Sequence, residues 1–67
     1  MKVDSAVMNE VNYNDETNEM TIEFWNGSIF VYKEVPKELY EEFIDSTSIG
    51  QFFHRKVKDK FTFRKGE

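Results

Sequence analysis

The sequence has no cysteine, one proline, three glycines and one histidine in 67 residues. Without cysteine there is no disulfide framework, and the lone His54 leaves too few ligands for a zinc site of the usual kind. No apolar run approaches the roughly 20 residues that a membrane-spanning helix needs. The N-terminus also lacks the basic-then-apolar pattern of an export signal. Residence in the cytoplasm, with no membrane partner, is therefore the default expectation. The length allows one domain, residues 1–67, near the lower limit for a self-supporting core. A domain of this size buries only about 60% of the surface its unfolded chain exposes. Such scaffolds usually add a disulfide, a metal or a partner subunit.

What the chain has instead is rings. Seven Phe, three Tyr and one Trp each remove a large apolar area from water when buried. Charge is distributed unevenly. Residues 1–45 carry three basic and eleven acidic side chains, a balance of −8, and residues 46–67 carry six basic and two acidic, a balance of +4. The net −4 thus hides a polar molecule, and the acidic total alone would mislead about partners.

Val7, Met8 and Val11 to Tyr13 have the β-type character of a short first strand. Asn14-Asp15-Glu16-Thr17-Asn18 is turn chemistry, because Asn and Asp side chains bond their own backbone. Met20, Ile22 and Phe24 then alternate with Thr21, Glu23 and Trp25, a strand with one buried face. Asn26-Gly27 reverses the chain into a third strand, Ser28 to Lys33. Two registers compete here. A two-residue turn pairs Phe24 with Ile29 and Ile22 with Val31. A three-residue loop with Gly27 in the left-handed conformation pairs Ile22 with Phe30 and Met20 with Tyr32. A slip of one residue exchanges the faces of the returning strand. The bulged register is preferred, because it gathers the larger rings beside Ile22, at the cost of leaving Trp25, Ile29 and Val31 on the other side.

Val35-Pro36 closes the sheet, with Pro36 suited to the first helical position. Leu39, Tyr40, Phe43 and Ile44 form the apolar stripe of that helix, opposite Glu38, Glu41 and Glu42. Asp45-Ser46-Thr47-Ser48 separates it from a second helix, where Ser48 and Gln51 have the spacing of a capping box. Ile49, Phe52, Phe53 and Val57 fall on one side of that helix. Phe61-Thr62-Phe63 reads either as an added strand or as an extended arm. The expected fold is α+β, a three-stranded antiparallel meander followed by two short helices packed on its aromatic face, with a basic C-terminal tail.

The pattern Met20-x-Ile22-x-Phe24-x-x-Gly27-x-x-Phe30-x-Tyr32-x-x-Val35-Pro36, followed by Ser48-x-Gly50-x-Phe52-Phe53, resembles the KTSC family from about Val7 to Val57. These are small domains found at the C-terminus of some lysyl-tRNA synthetases and alone as short bacterial or phage proteins. The family's Tyr-x-Tyr signature stands here as Phe30-Val31-Tyr32, which keeps the ring and loses one hydroxyl. Members often carry Asn where this chain has His54. The resemblance implies no established activity; RNA binding has been suggested from the synthetase fusion, an argument by association.

No catalytic constellation is evident. His54 has no cysteine, Ser–Asp pair or second histidine at a catalytic spacing, so a surface histidine is the simpler reading. Glu38, Glu41, Glu42 and Asp45 suggest a metal or general-acid cluster, but the solvated face of an amphipathic helix explains them as well. A binding module without catalytic residues, metal or cofactor is expected rather than an enzyme.

The segment HRKVKDKFTFRK, residues 54–65, carries the stronger signal. Arg55, Lys56, Lys58, Lys60, Arg64 and Lys65 interleave with Phe61 and Phe63; cations attract phosphates and unburied rings stack bases. Ser48, with Ser46 and Thr47, opens the helix and adds backbone N–H groups that suit an anion. The competing explanation is a solvated basic helix end, favourable against its own dipole and the acidic first half. Trp25 at the hairpin tip is a stacking platform, a self-association contact, or a ring folded over its own hairpin. RNA or another phosphate-bearing ligand is the first expected partner. A protein partner or a second copy is the alternative, either meeting the acidic helix or covering Ile29 and Val31. In a phage-encoded form that alternative would extend to sequestering a host protein or a small nucleotide.

Overall fold

The computed structural model describes residue 3 and residues 6–66. Strands β1 (Met8–Asn14), β2 (Glu19–Phe24), β3 (Ile29–Tyr32) and β4 (Phe63–Gly66) form one antiparallel sheet in the order β1-β2-β3-β4. Between β3 and β4 come helix α1 (Lys37–Ile44) and helix α2 (Ile49–Phe52), the latter continuing as a π-helical turn, Phe53–Val57.

The first turn follows its side chains. The Glu16 N–H donates to Asn14 Oδ1 at 2.9 Å, and Asn18 takes a left-handed φ of 59°, which Asn tolerates better than most residues. The β2–β3 hairpin adopts the bulged register: Met20 faces Tyr32 and Ile22 faces Phe30. Gly27 has φ +92°, its N–H bonds the Phe24 carbonyl at 3.0 Å, and the Phe24 N–H bonds the Ser28 carbonyl at 2.8 Å. A side chain at Gly27 would be strained whatever the space around it.

In β1 the buried residues are Met8 and Val11, three apart rather than two. The register shifts between Met8 and Glu10, so a bulge restores Val11 to the face that Met8 occupies. On the far side the tail is an added strand: Phe63 pairs with Tyr32 and Lys65 with Phe30. The expected three-stranded meander thus gains the tail as its fourth strand. Its last residue in register, Gly66, opposes Ile29, and a Cβ there would stand 3.3 Å from Val31 Cγ2. That close approach helps to leave Val31 only 7% exposed on the face away from the helices.

Pro36 sits one position earlier than expected, as the N-cap of α1 with extended ψ of 143°. Phe43 is the buried anchor of α1, with Leu39, Tyr40 and Ile44 packed against the core. Tyr40 stacks on Tyr13 at 4.8 Å, and the Tyr13 hydroxyl donates to the Val35 carbonyl at 2.6 Å. The expected capping box does not form. Ser48 makes no side-chain cap bond; its N–H donates instead to Ser46 Oγ at 3.1 Å, so the loop is closed from the Ser46 side.

The π-helical turn has a packing reason. Ile49, Phe53 and Val57 are all buried, at intervals of four. Four α-helical residues overrun a full turn by about 40°, so a stripe of this period drifts off the core. A wider turn, in which the Lys58 N–H reaches the Phe53 carbonyl at 2.8 Å, brings Val57 back beneath Phe53.

Five rings close a cycle. Phe24 meets Phe30 at 5.6 Å, Phe30 meets Phe63 at 5.2 Å, and Phe63 meets Tyr32 at 5.4 Å. Tyr32 meets Phe53 at 5.9 Å, and Phe53 returns to Phe24 at 5.8 Å. The cycle joins β2, β3, β4 and the π-helical turn, mostly in the edge-to-face geometry that ring quadrupoles favour.

Two stability predictions follow from this packing. Phe53→Ala removes the buried ring that links Phe24 and Tyr32, and should cost about 3–5 kcal/mol in urea unfolding; a loss below about 1 kcal/mol would contradict its anchoring role. Glu34 occupies the left-handed region, with φ 56°, where a side chain is penalised by roughly 1–2 kcal/mol. Glu34→Gly should therefore raise the melting temperature by a few degrees, as about 1 kcal/mol does in a domain of this size. An unchanged or lower melting temperature would show that the Glu34 side chain compensates for its backbone.

Candidate nucleic-acid interface

Because Ile49, Phe53 and Val57 face the core, His54, Arg55 and Lys56 between them turn to solvent, and all three are exposed. Lys58 and Lys60 follow in the turn after Val57 and are exposed as well. The Lys60 N–H bonds the Val57 carbonyl at 3.1 Å, which fixes where that turn leaves the helix. The ion pairs among the described residues lie elsewhere: Lys37 with Asp15 at 3.7 Å and Arg64 with Glu19 at 4.0 Å. Thus Arg55, Lys56, Lys58, Lys60 and Lys65 have no acidic partner among the described residues.

The six expected cations do not share one surface. Successive residues of a strand point to opposite faces. Lys65, opposite Phe30, lies on the helix-bearing face, and Arg64, opposite Val31, lies on the other. Arg64 is thereby drawn to Glu19 and away from the rest of the group. The helix and turn keep Arg55, Lys56, Lys58 and Lys60 as one contiguous stretch of chain.

At one end of that stretch is an open depression of about 220 Å³, lined by Ser46–Ser48, Gln51, Phe52, Arg55 and Lys56. It brings together three of the expected residues, Ser48, Arg55 and Lys56. It also holds Ser46 and Thr47, expected with Ser48 to offer N–H groups to an anion, and recruits Gln51 and Phe52, which sequence reasoning did not single out as ligand contacts. Their spacing carried the signal: Gln51 and Phe52 stand four and three residues before Arg55, neighbours on a helix surface. Phe52 is half-buried and held by Phe43, with ring centroids 5.4 Å apart, so the apolar wall is anchored in the core.

The three expected stacking rings diverge. Phe61 packs against the core and offers little surface. Phe63 belongs to the ring cycle yet remains 49% exposed. Trp25 is 60% exposed, and its backbone N–H donates to the Val7 carbonyl at 3.0 Å, which ties the hairpin tip to the segment before β1. On α1, Glu38, Glu41, Glu42 and Asp45 are all exposed, opposite the buried Phe43. The strand face proposed for a partner is narrower than expected, because Val31 is buried by its own chain and Ile29 is half-buried. No helix among the described residues is long and apolar enough to cross a membrane.

Burial pushes the Tyr32 phenol above its ordinary value of 10.0, and the Asp59 carboxylate adds to the shift, both by opposing the phenolate.

Comparison with known proteins places this geometry in context. The family model described as KTSC domain matches residues 4–61. A lysine–tRNA ligase of Trichormus variabilis is 35% identical over 63 residues, which is 94% of this chain and 11% of the ligase. A lysine–tRNA ligase of Nostoc punctiforme gives the same identity and coverage. The chain thus spans about a ninth of the length of these relatives. The crystal structure of a KTSC domain protein from Yersinia pestis is 28% identical and superposes with a TM-score of 0.94, covering 100% of this chain and 94% of that one.

The Tyr32 environment gives a further prediction. Only the folded chain resists the phenolate, so Tyr32 supports the fold below the ordinary value of 10.0, and that support is lost as pH rises towards the raised folded value. Following the Tyr32 ring carbon by NMR should show a midpoint above 10.0 that Asp59→Asn lowers only in part, since burial is the larger cause. A Tyr32 midpoint at or below 10.0 would contradict it.

Proposed function

The chain belongs to the KTSC domain family, and from that premise we propose that it is a non-enzymatic module that binds single-stranded RNA through Arg55, Lys56, Lys58 and Lys60. The observation that carries this reading is the state of those four cations: exposed, and without an acidic partner among the described residues while Arg64 and Lys37 have one. In a chain of net charge −4, a stretch that sets four cations against the single carboxylate of Asp59 favours a polyanion over a neutral ligand. Two relatives are named as lysine–tRNA ligases, and that name supports RNA as the polyanion. Phe63, a half-exposed member of the ring cycle, supplies a ring on which a base can stack. The phosphates provide affinity without reading sequence.

A second reading rests on a separate observation. Glu38, Glu41, Glu42 and Asp45 expose an acidic helix face, complementary in sign to the cations, and head-to-tail contact between copies would join the two. Sedimentation at low salt distinguishes the readings, because a monomer at high concentration overturns self-association and leaves RNA binding standing.

Four phosphate contacts to a single strand correspond to a log–log salt slope of about −3, a loss of roughly fifty-fold in affinity between about 50 and 200 mM salt. Fluorescence anisotropy with a short RNA should give that slope, and Lys58→Ala should reduce its magnitude by about 0.7. Absence of binding at low salt, or an affinity indifferent to salt, would overturn the proposal.

A further inference from the structure

The depression at Ser46–Ser48 has a chemistry that the rest of the cationic stretch lacks. Lys58 and Lys60 stand on an exposed turn and meet a passing phosphate as isolated charges. Arg55 and Lys56 instead border a hollow with Thr47, Ser48 and Gln51, and Phe52 forms its apolar wall. Ser46 Oγ is occupied by the Ser48 N–H, which holds the rim in place. The Thr47 and Ser48 hydroxyls and the Gln51 amide make no hydrogen bond among the described residues, so their donors are available. A volume of about 220 Å³ equals roughly seven water molecules at about 30 Å³ each. That is room for one phosphate and the adjoining sugar, and too little for a full ligand pocket of 300 Å³ or more.

We infer that the depression takes a terminal phosphomonoester of the bound strand, so the module engages RNA at an end rather than along its length; this rests on the RNA reading above. A terminal monoester carries about −1.5 to −2 charges and three acceptor oxygens at neutral pH, against a single charge for each internal diester. Two adjacent cations, one of them a guanidinium that bonds phosphate oxygens in pairs, match the higher charge. Hydroxyl and amide donors match the extra oxygen. The sugar lies against Phe52, whose ring is fixed by Phe43. From that anchor the strand runs out over Lys58 and Lys60, whose charges meet the internal phosphates.

The test uses the full chain and one single-stranded RNA of about ten nucleotides, internally labelled and prepared with a 5′-hydroxyl, a 5′-phosphate or a 3′-phosphate end. One phosphorylated form should bind at least about tenfold tighter than the hydroxyl form, as charge-assisted hydrogen bonds imply, and the arms show which end is taken. Arg55→Ala and Ser48→Ala, both at exposed positions, should abolish that advantage, whereas Lys58→Ala should weaken all three strands alike. Equal affinity for the three strands would overturn the end-binding inference and leave RNA binding intact. An advantage that survives both Arg55→Ala and Ser48→Ala would overturn the assignment to this depression. No binding by any strand would overturn the RNA reading and the inference with it.

Discussion

The fold depends on a closed circuit of aromatic contacts. Phe24, Phe30, Phe63, Tyr32 and Phe53 touch in sequence and return to the start, with centroid separations between 5.2 and 5.9 Å. Edge-to-face pairs contribute about 0.5–1.5 kcal/mol each beyond the area they bury, and the circuit joins three strands to the π-helical turn. A domain of this length has little interior to spare, and with no cysteine it has no covalent tie. The rings take that part, because each one touches two others that belong to elements other than its own.

The same circuit explains why charge and core are interleaved in the last third of the chain. The interior does not come from the hairpin and first helix alone: Ile49, Phe53 and Val57 are buried, and Phe61 packs against the core they join. The cations occupy the positions between, so the apolar stripe that roots the segment also sets which way Arg55 and Lys56 face. Positive charge held on a rooted backbone loses less entropy on binding than charge on a free tail. The candidate interface is therefore a by-product of how the core is completed.

Much of this was legible in the residues. Asn26-Gly27 marked the hairpin and the larger rings beside Ile22 selected its bulged register, because the alternative would have placed them on the open face, and α1 followed from the Leu39–Ile44 stripe. The bulge in β1 was present in the three-residue spacing of Met8 and Val11, but the polar Asn9 and Glu10 between them masked it. The π-helical turn was written in the four-residue spacing of Ile49, Phe53 and Val57, a pattern that a regular helix also tolerates over one interval. The tail was ambiguous because Phe61-Thr62-Phe63 alternates in a way that suits a strand or an arm, and only the open edge of β3 decides between them. Of the site, the cations and Ser48 were visible as chemistry. So was Thr47 beside Ser48, but Gln51 and Phe52 were not, because their spacing from Arg55 gains meaning only where a loop meets the helix to form a hollow. The division of Arg64 from Lys65 was hidden for the same reason: it appears only once the tail is a strand.

The pairing of β4 with β3 brings together residues about thirty positions apart, as Tyr32 with Phe63, whereas the other strand pairs join across short turns. Closing so long a loop costs more chain entropy than a hairpin does, so the first three strands can assemble without waiting for the fourth. The last strand is then the natural place for the molecule to breathe. When it lifts, Phe30 and Tyr32 lose a neighbour and Arg64 parts from Glu19, while the bond ladder of the meander stays closed.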